Sequence, residues 1–204
     1  MRFQWIFDNA QSISINQRGV TASTTSRDGT VRATSRGGQV WRFEVTPPNG
    51  PKWSEYKGLI ATAEALGKYT TANIQFNAAG YVNYLMTYQG NAADKTAITA
   101  SWTTGNTITL TGGQATSGYN FKAGDVIQLG ATGKCYTVSA DVVYTNNTVT
   151  LSRPILDAAG TDVTLRVAEN CVWTVICTEF PDWTIFQRDQ ISWSGPFVFY
   201  ESLV

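Results

Sequence analysis

The sequence contains no histidine among its 204 residues. Catalytic triads and dyads built on histidine, histidine metal sites and the usual pH switch near neutrality are therefore excluded. The three cysteines lack a C-x-x-C spacing and are too few for a structural zinc site, so we expect buried thiols at Cys135, Cys171 and Cys177. These absences predict a chain that is not an enzyme and has no catalytic residues, cofactor or bound metal.

Charge and long apolar runs are scarce as well. Charged residues make up 15% of the chain and the formal net charge is zero, which argues against nucleic acid or an anionic membrane as the main partner. No apolar run approaches the roughly 18 residues needed to span a bilayer, and the first residues lack the order of a signal peptide. We therefore expect a protein made in the cytoplasm with no membrane span.

The middle of the sequence consists of short alternating segments separated by turn dipeptides. Strands are predicted at 107–111, 126–129 and 163–167, with turns at Gly124-Asp125 and Gly130 to Gly133. Asn146-Asn147 is read as the turn of a hairpin whose strands carry Val142 and Tyr144 on one side and Val149 and Leu151 on the other. The pattern predicts a small OB-like or SH3-like β-barrel over residues 101–168.

The sequence on both sides of this segment is richer in large aromatic residues. Trp41, Phe43 and Val45 alternate with polar residues and predict a strand buried on one face. Residues 2–15 predict a strand pair, with Phe3, Trp5 and Phe7 on one face of its first strand. Apolar residues at helical spacing after the prolines near residue 50 predict one helix over 52–66. The aromatic segment 190–200 also needs a core, so we predict a mainly β fold in which 1–100 and 169–204 form one β-sandwich-like domain and the barrel is inserted.

Residues 17–39 have a different composition, rich in serine, threonine, glycine and arginine, with almost no large apolar side chain. This composition is typical of a long polar β-hairpin that projects from the body, because neither of its faces has a core to meet. We interpret it as an assembly hairpin, because ordering its backbone without apolar burial requires a partner. Its arginines are Arg18, Arg27, Arg32 and Arg36. Phosphate contacts are the alternative role for them, disfavoured by the lack of aromatic residues in the segment.

Three weaker patterns carry possible chemistry. Asp125 and Asp141 form a possible carboxylate pair, but Gly-Asp is also an ordinary turn dipeptide. Cys135 follows Lys134, which would favour an activated thiol, although a small core residue is the simpler reading. Exposed coplanar aromatic residues on the barrel would favour a carbohydrate-binding site. A hydrolase is the least supported class, because the residues offer no general base beside a nucleophile.

Three stretches together resemble the distal tail proteins of long-tailed bacteriophages. They are Arg36-Gly37-Gly38-Gln39-Val40-Trp41-Arg42-Phe43 before a short helix, the module from Gly124-Asp125-Val126-Ile127-Gln128-Leu129-Gly130 to Ser152-Arg153-Pro154, and the final Ser194-Gly195-Pro196-Phe197-Val198-Phe199-Tyr200-Glu201. The polar hairpin at 17–39 has no counterpart in this resemblance.

The resemblance implies a structural virion protein, located at the tail tip, whose β-rich body forms a ring around the tail channel with the OB-like barrel outside. It implies a hexamer, with the tail tube protein and the tail hub protein as partners, and no catalytic residues. Another tail completion or hub-attachment protein with the same elements is the first alternative. The second alternative is a carbohydrate-binding module that binds a host-surface saccharide.

Overall fold

The computed structural model describes residues 3–25, 31–48, 50–65, 70–77 and 85–203, and only the backbone for 18–25 and 31–39. Over these ranges the chain is mainly β with two α-helices, which confirms the predicted fold class. The chain divides into two compact units. The first comprises Met1–Ile74 and Thr174–Val204, and the second comprises Gln75–Trp173.

The elements are described in chain order. They are α1 (Gln4–Asp8), β1 (Ser12–Thr25), β2 (Val31–Thr46), α2 (Trp53–Ala65), β3 (Ala72–Gln75), β4 (Thr99–Trp102), β5 (Thr107–Gly112), β6 (Tyr119–Phe121), β7 (Val126–Gln128), β8 (Cys135–Thr137), β9 (Val142–Val143), β10 (Thr148–Thr150), β11 (Gly160–Thr164), β12 (Arg166–Val167), a 3-10 helix (Ala168–Asn170), β13 (Val172–Glu179), β14 (Trp183–Phe186), β15 (Gln190–Trp193) and β16 (Phe197–Glu201).

A five-stranded sheet in the order β1-β2-β16-β13-β3 organises the first unit. Strand β16 pairs antiparallel with β2 and with β13, so the end of the chain lies in the middle of the sheet. Trp41, Phe43 and Val45 are buried on one face, as the alternation predicts. Phe197 and Phe199 from β16 are fully buried beside them, which explains why the aromatic closing segment needed a core.

The segment that precedes β1 differs from the prediction. Residues 2–15 were predicted to form a strand pair, yet Gln4–Asp8 is a short helix. Phe3, Ile6 and Phe7 are all buried, and this spacing of three and four residues is helical, whereas Trp5 is only partly buried. The helix places Phe7 against Phe199, with the ring centroids 5.0 Å apart. The alternation of Phe3, Trp5 and Phe7 was therefore coincidental.

The second unit contains three sheets that pack around one apolar core. Their orders are β10-β5-β4-β11, β12-β7-β8 and β6-β9. The predicted barrel does not close over the part of the chain that the structure describes. Strands β8 and β10 meet only through the single bridge between Val138 and Leu151, because strands of two to six residues end before they can complete a ladder. The core that the three sheets share includes Ile108, Phe121, Ile127, Tyr136, Val149 and Val167.

The predicted hairpin around Asn146-Asn147 is wrong. Strand β9 pairs with β6, and β10 pairs with β5 through Val149 and Ile108. The Asn146-Asn147 segment is instead a crossing between two sheets. It is held by the buried Asn120, whose side-chain amide donates to the carbonyl oxygen of Asn146 over 2.9 Å.

Candidate assembly surfaces

Strands β1 and β2 form a hairpin that extends beyond the body of the sheet. Their pairing runs from Ser12 with Thr46 to Thr25 with Val31. Strand β16 covers the other edge of β2 only as far as Arg42. Beyond that point, β1 is the only described strand that pairs with β2. The Trp41 N–H next to Arg42 still donates to the Glu201 carboxylate over 3.4 Å. Farther out, along 18–25 and 31–40, no described strand pairs with either outer edge of the hairpin. The predicted long polar hairpin is confirmed as a strand pair over the described residues.

A register shift marks the base of this projecting part. Gly19 pairs with Gln39 and Thr21 pairs with Ser35, so one residue of β1 opposes three residues of β2. The additional residues lie at Arg36 to Gly38, where glycine lowers the steric cost of a bulge. We call residues 20–36, which begin and end in this bulge, the distal arm. The bulge separates the ladder of the arm from the ladder of the body.

Three of the four predicted arginines have a described backbone, and they lie at different levels of the hairpin. Arg18 lies opposite Val40 below the bulge, Arg36 lies in the bulge, and Arg32 lies opposite Thr24 near the far end. Arg27 falls outside the described residues. Six residues of strand separate the levels of Arg18 and Thr24, a span of about 20 Å. The backbone therefore spreads these cations along the hairpin, which does not fit a single anion-binding site.

The second candidate surface is a two-stranded hairpin, β14 with β15, that is fastened to helix α2. Asp189 in its turn accepts hydrogen bonds from the backbone N–H and the hydroxyl of Ser54, both over 3.0 Å, and so caps the helix. The Trp53 N–H donates to the Asp189 carbonyl oxygen over 2.7 Å. These contacts hold the hairpin in a fixed position on the helix.

Aromatic residues lie between this hairpin and the helix. The rings of Trp53 and Trp183 stack with centroids 4.6 Å apart, and the Trp183 indole N–H donates to Glu64 over 3.0 Å. Ile185 and Phe186 on the same strand remain 46% and 40% exposed. The sequence analysis assigned no element to 183–186, although Trp, Thr, Ile and Phe all favour strands, and this composition was the available signal.

The candidate carboxylate pair serves the structure of a turn. Asp125 is buried and accepts hydrogen bonds from the backbone N–H groups of Lys122 and Gln89, over 2.8 and 3.0 Å. Asp141 is exposed and accepts from the Ala123 N–H. Burial raises the pKa of Asp125 above its ordinary value, and the two backbone hydrogen bonds partly oppose this shift.

Cys135 lies beside a buried polar cluster. Its carbonyl oxygen accepts from Arg153 over 2.8 Å, and the guanidinium of Arg153 lies 4.9 Å from the centre of the Tyr136 ring. The Tyr136 hydroxyl donates to Asp157 over 2.7 Å and accepts from the Leu156 N–H, and burial raises the pKa of this phenol. The cluster holds the loop after β10 against β8. The thiols of all three cysteines are buried.

The sequence left open a saccharide-binding platform of exposed aromatic residues. In the second unit the exposed aromatic residue is Tyr144, and Lys122 covers the ring of Tyr119 from 4.6 Å, so the described part of that unit offers no coplanar aromatic platform. Across the described ranges, no three Asp, Glu or Cys side chains group as a metal site would require. No helix there is long and apolar enough to cross a membrane.

No protein-family model matches the sequence, and no curated protein matches it either.

Proposed function

We propose that this chain is a structural subunit of a bacteriophage tail tip that forms a ring joining the tail tube to the hub. The place in the phage tail is proposed from the sequence resemblance. Ring formation is proposed from the distal arm. The arm is a strand pair whose two outer edges have no described strand beside them. Such edges bind extended segments of other chains through backbone hydrogen bonds.

The composition of the arm favours a second copy as its partner. Residues 20–36 contain only two valines as apolar residues larger than alanine, Val20 and Val31, so the arm cannot be stabilised by a core of its own. Ordering each backbone residue costs roughly 1 to 2 kcal/mol, and ladder pairing with a neighbour offsets this cost. An arm that pairs with a different surface of the next copy makes a head-to-tail contact, and repeated copies close into a ring when the rotation between neighbours divides a full turn.

Deletion of residues 20–36 tests the proposal. It joins Gly19 to Gly37-Gly38-Gln39, and Gly19 already pairs with Gln39, so the shortened hairpin would close with a two-residue Gly-Gly loop. We expect the melting temperature of the isolated subunit to stay almost unchanged, because the core lies elsewhere. We expect native mass spectrometry to show loss of the ring, and the deleted gene to fail in phage complementation.

A matched variant separates backbone pairing from charge. Replacing Arg18, Arg27, Arg32 and Arg36 by glutamine keeps the strands but removes the cations. If the edges carry assembly, the glutamine variant assembles and the deletion variant does not. Normal ring formation by the deletion variant would refute the assembly role. Binding of the ring to separately purified tail tube and hub proteins would distinguish the distal position from another place in the tail.

A further inference from the structure

Strand β14 also has an edge that no described strand covers, and the hydrogen bonds to β15 determine which of its backbone groups point outward. The Ser194 N–H donates to the Asp182 carbonyl oxygen over 2.8 Å, so this pair is hydrogen-bonded. Hydrogen-bonded pairs alternate along an antiparallel ladder, and the register pairs Thr184 with Ser192 without a bulge. The backbone groups of Thr184 therefore point to β15. Those of Trp183 and Ile185 point outward.

The outward edge lacks the features that usually protect an edge strand. Residues 183–186 contain no charged residue and no proline, and the ladder is regular. None of the described strands other than β15 pairs with β14. Thr184, Ile185 and Phe186 are all exposed. Natural edge strands of this composition are normally interrupted, charged or covered, so β14 has the properties of a pairing surface.

We propose that a second copy of this chain covers this edge, with two β14 strands paired antiparallel across a two-fold axis at Thr184. Only residues with outward backbone groups can form the new hydrogen bonds, and this register uses both of them. Trp183 then pairs with Ile185 of the second copy, and the reverse pair repeats it across the axis.

In this register, the side chains of β14 in one copy are complementary to those of β14 in the second copy. Cross-strand pairs that stabilise a sheet include an aromatic residue opposite a β-branched one, and threonine opposite threonine. In the proposed register, Trp183 faces Ile185 of the second copy, and Thr184 faces Thr184 of the second copy. Asp182 precedes the strand and Arg188 follows it, and both are exposed. An antiparallel pair brings the acidic end of each strand to the basic end of the other.

This contact is independent of the distal arm. A two-fold contact uses the same surface on both copies and closes at two, whereas a ring uses two different surfaces. The β14 pair would therefore join two single chains, or two whole rings face to face. An experiment can therefore show loss of the β14 contact without loss of the ring, or loss of the ring without loss of the β14 contact.

A single cysteine at the axis tests the register. In the proposed pair, Thr184 occupies a non-hydrogen-bonded position, where facing Cα atoms lie about 4.5 Å apart, within disulfide range. The matched control is Phe186→Cys, since the two copies of residue 186 would lie four strand residues apart, about 14 Å. We expect Thr184→Cys to give a covalent dimer on a non-reducing gel, while Phe186→Cys and the wild type remain single chains. Equal cross-linking of both variants, or of neither, would overturn the proposal.

A second pair of variants measures the association itself. Ile185→Lys places a cation opposite Trp183 of the second copy, and we expect the dimer dissociation constant to rise about tenfold or more. Leu59→Lys makes the same change at an equally exposed residue of α2, away from the edge, and should leave that constant unchanged. Sedimentation velocity over a concentration series gives both values. An Ile185→Lys protein that associates like the wild type would argue against the pair.

Discussion

Asn120 holds together the crossing between two sheets of the second unit, and replacing it by aspartate should be strongly destabilising. The residue is only 1% exposed. Its side-chain oxygen accepts from the Ala115 N–H over 2.8 Å, and its amide faces the carbonyl oxygens of Val143, Tyr144 and Asn146 over 3.3, 3.4 and 2.9 Å. An amide has two donors, so these three acceptors share them.

Asn120→Asp keeps the size of the side chain but removes both donors. Each lost hydrogen bond costs about 1 kcal/mol, and buried carbonyl oxygens left without a donor cost more, so we expect a loss of about 2 to 4 kcal/mol in the free energy of unfolding. Repulsion by the three carbonyl oxygens would also raise the pKa of the new carboxyl. The variant would therefore be least destabilised at low pH, where the carboxyl is protonated and can donate once.

Urea denaturation followed by tryptophan fluorescence and circular dichroism measures this loss. The control is Asn147→Asp, which makes the same charge change on an exposed side chain in the crossing that Asn120 holds. Only the backbone carbonyl of Asn147 is used, by the Leu110 N–H, so the control should stay within about 0.5 kcal/mol of the wild type. If Asn120→Asp were equally mild, the amide would not be holding the crossing.

Two further predictions concern close packing and a buried charge. Gly160→Ala would place a methyl group 2.6 Å from the Trp102 ring, which its indole bond to a backbone carbonyl holds in place, so we expect chemical denaturation to show a loss of about 1 to 3 kcal/mol. Gly58→Ala, with open space around it in helix α2, should instead stabilise by up to about 1 kcal/mol. Because the pKa of Asp125 is raised in the folded state, its contribution to stability is fully present below the ordinary value of 3.8 and is lost as the pH rises through the raised value. Asp125→Asn should remove this dependence on pH. As the pH rises through the raised pKa, the unfolding free energy of the wild type should therefore fall relative to that of the variant. Parallel plots of unfolding free energy against pH for the two proteins would contradict the argument.

Strong periodic patterns allowed the β-rich class, helix α2 and the strand through Trp41 to be predicted from the sequence. Weak patterns failed where two periods fitted the same residues. Phe3, Trp5 and Phe7 fit a strand, and only the burial of Ile6 identifies a helix. Strand partners were harder still to predict, since the Asn146-Asn147 signal is local while the pairing of β10 depends on residues about forty positions earlier.

One of the two candidate surfaces could be predicted from the sequence and the other could not. Composition alone identified the polar hairpin, because serine, threonine and arginine without apolar partners cannot form a core. The edge of β14 was missed, because its exposure depends on how Asp189 fastens the hairpin to the first turn of α2. A contact between residues 135 positions apart leaves no trace in the local pattern. That residues 101–168 fold as an insertion stays a prediction.

The bulge at the base of the distal arm has a consequence for how this chain can vary. It displaces the register by two residues, and the side-chain period of a strand is also two, so the alternation of faces in the body is the same as it would be without the bulge. Residues added or removed in pairs on each strand beyond Gly19 would change the reach of the arm by about 7 Å per step. The length of this extension can therefore be adjusted to a wider or narrower neighbour while every pair from Ser12 to Gly19 keeps its partner.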